Sequence, residues 1–267
     1  MPVWRTLFRR FRRFGRRLAV ATAAVMAVAS IACGGGGEND SILVLAAASM
    51  TNALVDVGTE FERDSGVEVI YSFGGSNALV RQIELGAPSD AVIFAGRAPM
   101  DRLATSGNVL AGSRMNLLQN RLVVIGNTDS KQLADLGEMA TLEGRIAVAD
   151  PAFAPAGLYA KQALETVGLW NSLESRIIPT LDVRAAVGAV DTGSVVFGLA
   201  YATDVVAVSG VDVVLEIPET FHDPIVYPVA VVDGAGNSDQ AQAFLSYLSS
   251  ERGHALFMRH GFVPAAE

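Results

Sequence analysis

Between Ile42 and Leu54 the chain passes from a run of strand type into a helix through almost nothing but small residues. Ile42-Leu43-Val44-Leu45 is a short apolar run, Ala46-Ala47-Ala48-Ser49-Met50-Thr51-Asn52-Ala53 follows, and Leu54, Val55, Val57 and Phe61 then recur at helical spacing. Ser49 stands where a helix N-cap is expected, with Thr51 and Asn52 in the first turn. The first N–H groups of a helix have no internal partner and the helix dipole is positive there. A strand end that feeds such a terminus through small, hydroxylated residues lets an anion approach the backbone. Taken by itself, the same pattern describes an ordinary serine cap.

The alternation continues along the chain, which argues for an α/β fold. After helix Thr51–Ser65, Gly66 marks a stop, and Val67–Phe73 reads as a second strand. Gly74-Gly75-Ser76-Asn77 opens helix Ala78–Leu85, Ala91–Phe94 is a third strand, Met100–Ser106 a short helix and Arg121–Gly126 a strand. A second set begins with strand Arg145–Ala149 and a loop that is not expected to turn helical until after Pro155. Helix Leu158–Val167 stops at Gly168, Arg176–Ile178 suggests an edge strand, and Asp182 has the place of an N-cap for helix Val183–Val190. Strands Ser194–Tyr201 and Val211–Glu216 flank a short helix Asp204–Val208. Ile225–Val232 is a strand whose Pro228 suggests an edge or a crossing segment, and helices Ser238–Leu248 and Glu251–Arg259 close the chain.

The N-terminus has a different composition. Arg5 to Arg17 is a basic region, Leu18 to Ala32 is apolar and rich in alanine, and the only cysteine follows at Cys33. This is the layout of an export signal. Ser30-Ile31-Ala32-Cys33 resembles a bacterial lipoprotein cleavage box, which would make Cys33 a lipidated N-terminus; the paired arginines before Phe11 and Phe14 leave either Sec or twin-arginine export open. Gly34 to Asp40 has the composition of a flexible tether. Seven of the 20 Lys+Arg lie in residues 1–32, so the remainder carries 13 against 28 acidic residues, a net charge of −15. Nucleic acid is therefore not an expected partner, and an anion would have to be held by local dipoles against the field of the whole protein.

Four places share the grammar of the first junction: Ser49, Gly74-Gly75-Ser76, Pro155-Ala156-Gly157 and Asp182-Val183. Gly74 and Gly75 are expected to allow backbone angles that turn successive N–H groups into an anion nest, with the Ser76 hydroxyl added. No Gly-Lys-Ser/Thr follows these glycines and no Gly-x-Gly-x-x-Gly opens a βαβ unit, which disfavours a nucleotide. Any one of the four is commonly just a helix cap; four in one chain, divided between two α/β sets, point toward an oxyanion.

At this point the chain resembles the periplasmic molybdate-binding proteins, the solute receptors of molybdate ABC importers. The resemblance is carried by Ala46 to Ala53, by Ser72-Phe73-Gly74-Gly75-Ser76, and by Arg81 to Asp90. Further along it rests on Ala149-Asp150-Pro151, Pro155 to Lys161, Asp182-Val183-Arg184, Gly198 to Asp204, Tyr227 to Val232, and Arg259 to Phe262. It spans about residues 41–263. It implies a two-lobed type II binding-protein fold, each lobe a mixed sheet flanked by helices, with the ligand in the interlobe cleft. Residues 41–120 and 226–267 would form one lobe and 121–225 the other. Carried over position by position, Ser49 and Ser76 would bind the oxyanion by hydroxyl and N–H, Ala156 and Val183 by backbone N–H, and Tyr201 by its phenol. The resemblance further implies a monomer that passes molybdate or tungstate to an ABC permease, without a cofactor, and with molybdenum present only as the oxyanion.

The chemistry is consistent with that reading. Molybdate and tungstate are tetrahedral dianions whose oxygens only accept hydrogen bonds. Hydrogen phosphate carries a proton that would meet another donor, and an unpaired buried donor costs about 1–3 kcal/mol. Sulfate has the same shape but is smaller. A ferric site would want paired tyrosines with a carboxylate or histidine. A serine hydrolase would want the Gly-x-Ser-x-Gly elbow, which is absent. His222, His254 and His260 are dispersed without ligand spacing, Asp150 and Asp204 read as caps, and Trp170 and Phe197 as core. Tyr159 lies on a helix, where packing and a place in the cleft both remain open.

The N-terminal reading gives a direct expectation. Cys33→Ser should abolish acyl labelling and release the protein from the membrane fraction, because two acyl chains anchor firmly where one does not. An exported chain recovered soluble and unmodified with Cys33 intact would contradict it.

Overall fold

The apolar runs become strands because their β-branched residues suit a pleated surface, and the small-residue junctions let each strand turn at once into a helix that packs back on the sheet. The computed structural model describes residues 41–206 and 208–265; the export segment 1–33 with Cys33, and the stretch 34–40, lie outside the described residues. The strands are β1 (Ser41–Ala47), β2 (Glu68–Gly74), β3 (Ala91–Ile93), β4 (Met115–Gln119), β5 (Leu122–Asn127), β6 (Ile146–Ala149), β7 (Ile177–Thr180), β8 (Phe197–Tyr201), β9 (Val211–Glu216), β10 (Val226–Val231) and β11 (Val263–Pro264). The helices are α1 (Thr51–Ser65), α2 (Ser76–Glu84), α3 (Arg97–Thr105), α4 (Leu136–Thr141), α5 (Pro155–Thr166), α6 (Trp170–Leu173), α7 (Val183–Asp191), α8 (Ala202–Val205), α9 (Ser238–Leu248) and α10 (Glu251–Arg259).

They build two mixed sheets, ordered β11-β4-β10-β3-β1-β2 and β7-β6-β8-β5-β9. In the first, β1 runs parallel to β2 and β3; in the second, β6 runs parallel to β7 and β8. Strands β10 and β5 enter their sheets antiparallel. The inner strands β1, β3, β6 and β10 are buried almost end to end, as sheets covered by helices on both faces require. Phe61, Phe244 and Phe257 fill the first lobe; Ala160, Leu164, Val187 and Leu199 fill the second. The chain crosses between the sheets twice, at Asn120–Arg121 and between Glu216 and Val226, and the crossings are tied by the Asn120 N–H donating to the Ile225 carbonyl at 3.1 Å.

Several local expectations change. Ser49 is not an N-cap: Ala48–Met50 forms a 3₁₀ turn, Met50 precedes α1, and the Ser49 hydroxyl is directed elsewhere. Helix α5 begins at Pro155 itself, since proline is well suited to a first turn whose N–H has no partner anyway. Strand β10, with Pro228, is central rather than an edge; the missing N–H falls where the register with β4 shifts between Tyr227 and Pro228. Strand β4 and helix α4 carry no clear apolar period and escape the reading from sequence. Asp182, in contrast, caps α7 as expected, its Oδ1 accepting the Ala185 N–H at 2.9 Å.

The lobes meet across the cleft. The Phe153 carbonyl, from the second lobe, accepts the N–H groups of Asn77 and Ala78 at 3.1 and 3.2 Å, and Asn77 Nδ2 donates to the Pro151 carbonyl at 3.0 Å. Gly75 lies between them. Its φ of −66° and ψ of 130° suit any residue, so the expected need for unusual angles is not met there. What requires glycine is space, because a Cβ would sit 2.3 Å from the Phe153 carbonyl oxygen and 3.1 Å from that of Leu181. Gly75→Ala should therefore fold normally but hold the lobes apart. Small-angle scattering, under conditions that close the unsubstituted chain, should give the variant a larger radius of gyration; superimposable curves would contradict this.

Candidate anion-binding site

Each parallel strand delivers its carboxyl end to one cavity. Ala47, Ala48 and Ser49 follow β1; Gly74, Gly75 and Ser76 follow β2; Ala95 follows β3. From the other lobe come Ala154, Pro155 and Ala156 after β6, Asp182 and Val183 after β7, and Tyr201 at the end of β8. The space not filled by atoms here, counted together with the solvent it opens to, is about 210 Å³. All five oxyanion-binding candidates named from the sequence, Ser49, Ser76, Ala156, Val183 and Tyr201, line it, and each is at most 4% exposed.

The polar groups here are arranged as donors. Ser76, Ala156 and Val183 stand in the first turns of α2, α5 and α7, where no intrahelical carbonyl is within reach of their N–H. These helix ends also aim their positive dipoles inward. Gly157 allows α5 to start this close to its strand, since a Cβ would lie 1.8 Å from the Ala149 carbonyl oxygen. The Ser76 hydroxyl oxygen accepts the Ala95 N–H at 3.0 Å, which leaves its hydrogen to point away from that contact. The Ser49 hydroxyl is 3.0 Å from the Tyr227 hydroxyl. Tyr201 Oη is buried and has no hydrogen-bond partner among the described residues. A buried hydroxyl left unpaired costs about 1–3 kcal/mol, so this phenol favours any acceptor brought into the cavity. Burial, reinforced by Tyr227, Tyr159 and Asp204, pushes the Tyr201 phenol well above its usual range and keeps its proton in place.

Among the described residues no lysine or arginine lines the cavity. Arg184, next to Val183, turns its Nε to Asp204 Oδ1 at 2.9 Å and donates from Nη2 to the Ser49 carbonyl across the lobes at 3.3 Å. Asp204 is fully buried; its Oδ2 also accepts the Tyr201 N–H at 3.2 Å. Burial drives the Asp204 carboxyl up to about 7, against the lowering pull of Arg184 and that N–H. The carboxylate that does line the cavity, Asp182, is engaged in capping α7. Among the described residues no group of three or more His, Cys, Asp and Glu side chains is placed to hold a metal ion. The cavity can thus take a ligand whose surface is made of acceptors.

Reading the sequence missed the residues behind the site. Tyr227 and Asn120 hold Ser49 from the rear. Tyr159, for which the sequence left packing and a place in the cleft both open, is 5% exposed and packs with its hydroxyl against Gly96. Tyr227 sits within an apolar run and Asn120 within a crossing segment, so neither carries a local pattern.

Residues 42–263 match the family model described as bacterial extracellular solute-binding protein. The chain is 40% identical over 231 residues to the molybdate-binding protein ModA of Escherichia coli (strain K12), covering 84% of this chain and 90% of that protein. It is 34% identical over 227 residues to the ModA of Haemophilus influenzae, covering 83% and 89%. Its fold is shared with the periplasmic molybdate-binding protein of Azotobacter vinelandii, at a TM-score of 0.77 and 23% identity over 84% of this chain and all of that one. On its sheets, its cleft and these likenesses together, the chain belongs to the bacterial extracellular solute-binding proteins.

Proposed function

We propose that this protein binds molybdate or tungstate outside the cytoplasm and delivers it to the permease of an ABC importer. The observation that carries this reading is the donor-rich cavity: hydroxyl and N–H groups from both lobes, an unpaired Tyr201 phenol, the lining carboxylate Asp182 engaged as a helix cap, and, among the described residues, no cationic side chain in the lining. A tetrahedral dianion with four accepting oxygens answers those donors. The similar proteins of Escherichia coli and Haemophilus influenzae bear the name of the same ligand.

In this reading the site residues are Ser49 and Ser76 from one lobe, Ala156, Val183 and Tyr201 from the other. A ligand that touches both lobes gains donors in the closed arrangement that the open one cannot offer, so binding and closure are coupled. Residues 41–120 with 226–267 would move as one body and 121–225 as the other, about the crossings at Asn120–Arg121 and 217–225. The protein acts by binding and release rather than by catalysis, as a monomer held to the membrane through a lipid on Cys33. A permease recognises the closed form.

Titration of four variants tests the site. Ser76→Ala and Tyr201→Phe should each weaken molybdate binding by roughly tenfold to a hundredfold, the worth of a hydrogen bond to a charged acceptor. Ala156→Pro should do more harm, since it removes the backbone donor itself. Lys161→Ala should have little effect: Lys161 Nζ lies 3.7 Å from Glu165 and 5.3 Å from the centre of the Trp170 ring, and does not line the cavity. Near-normal binding by both Ser76→Ala and Tyr201→Phe, or a collapse confined to Lys161→Ala, would contradict the assignment.

A further inference from the structure

Behind Ser49 runs a buried chain of polar groups that ends in the crossing segment. The Arg121 N–H donates to Asn120 Oδ1 at 2.9 Å. A backbone N–H can only donate, so this contact fixes which end of the Asn120 amide is oxygen. Asn120 Nδ2 is then the donor to both of its other neighbours, Thr203 Oγ1 at 2.8 Å and Tyr227 Oη at 3.1 Å. Tyr227 is fully buried, and burial keeps its phenol protonated by raising it far above the usual range. Having accepted from Asn120, Tyr227 has a hydrogen to place, and its other hydrogen-bond partner among the described residues is Ser49 Oγ at 3.0 Å. Ser49 accepts it, and its own hydrogen is left to face the cavity it lines.

We propose that Tyr227, oriented by Asn120, is a positioning residue that forces Ser49 to offer a hydrogen and not a lone pair to the bound oxyanion, and so helps the site reject anions that carry a proton. The inference rests on the oxyanion-binding reading above and deepens it. Ser76 is held in the same sense by the Ala95 N–H at 3.0 Å, but there the rear donor is backbone and no side-chain substitution removes it. At Ser49 the polarity is set by a side chain and is therefore open to test. Without the Tyr227 hydroxyl, Ser49 Oγ is free to accept the proton of hydrogen phosphate.

The test is a titration of molybdate and of inorganic phosphate against the unsubstituted protein, Tyr227→Phe, Ser49→Ala and the double variant, with thermal unfolding of each. Tyr227→Phe should weaken molybdate by roughly three- to tenfold, narrow the preference for molybdate over phosphate, and cost almost nothing further once Ser49 is alanine. Asn120→Asp supplies a second, independent variant. Its carboxylate would accept the Tyr227 hydrogen, turn the Ser49 hydrogen back toward Tyr227, and weaken molybdate in a way that again disappears in the Ser49→Ala background. Equal losses with and without the Ser49 hydroxyl, or a molybdate-to-phosphate preference that Tyr227→Phe leaves unchanged, would overturn the proposal while leaving the site assignment standing. Failure of the unsubstituted protein to bind molybdate, or no loss in Ser49→Ala, would overturn the underlying reading as well.

Discussion

Six parallel strands, three in each sheet, end at one point, and that convergence is the constraint on which the rest of the structure depends. A parallel strand must hand over to a crossover, and here β2, β7 and β8 pass into helices after at most two intervening residues, while β1, β3 and β6 do so after at most five. Ligands in open α/β sheets sit outside the carboxyl ends of the strands for this reason. Two sheets facing each other double the effect. The small residues at the junctions follow from it: Ala47, Gly75, Ala95, Ala154 and Ala156 stand where side chains of any size would separate the lobes or fill the space between them.

The electrostatics follow as well. The chain beyond residue 32 carries 28 acidic against 13 basic residues, yet the cavity is built for an anion. It achieves this with dipoles. Helix N-termini and hydroxyl groups supply partial charges that are already oriented and need no counter-charge when the ligand leaves. The guanidinium of Arg184, close by, is taken up by Asp204 and by the Ser49 carbonyl. It braces the second lobe and touches the first without entering the cavity. A free cation in its place would attract any anion; a shell of donors selects by proton count and size.

Much of this was legible in the sequence because it is local. The strand-to-helix junctions at Ser49, Ser76, Ala156 and Val183, and the Asp182 cap, are each written in fewer than ten consecutive residues, and Tyr201 lies at the end of a clear apolar run. What was not legible depends on contacts between distant segments. The place of Pro228 in a central strand depends on a register shift against β4, and the need for glycine at position 75 comes from Phe153 and Leu181 in the other lobe. Ser49 looked like a cap because its spacing from α1 is that of a cap, whereas its hydroxyl partner is 178 residues away. The resemblance to molybdate receptors brought the candidate site residues together before the fold did, but it gave Tyr227, which lies in one of its matching stretches, no role and did not include Asn120.

The site excludes an anion bearing a proton because its hydroxyl and helix N-terminal N–H groups donate, and the carboxylate on its lining, Asp182, is engaged in capping α7. Isothermal titration calorimetry of the purified mature protein with molybdate, tungstate, sulfate and phosphate at neutral pH tests it most directly. Molybdate and tungstate should bind saturably, one to one, the smaller sulfate more weakly, and phosphate not at all at the same concentrations. Phosphate bound as tightly as molybdate would contradict it.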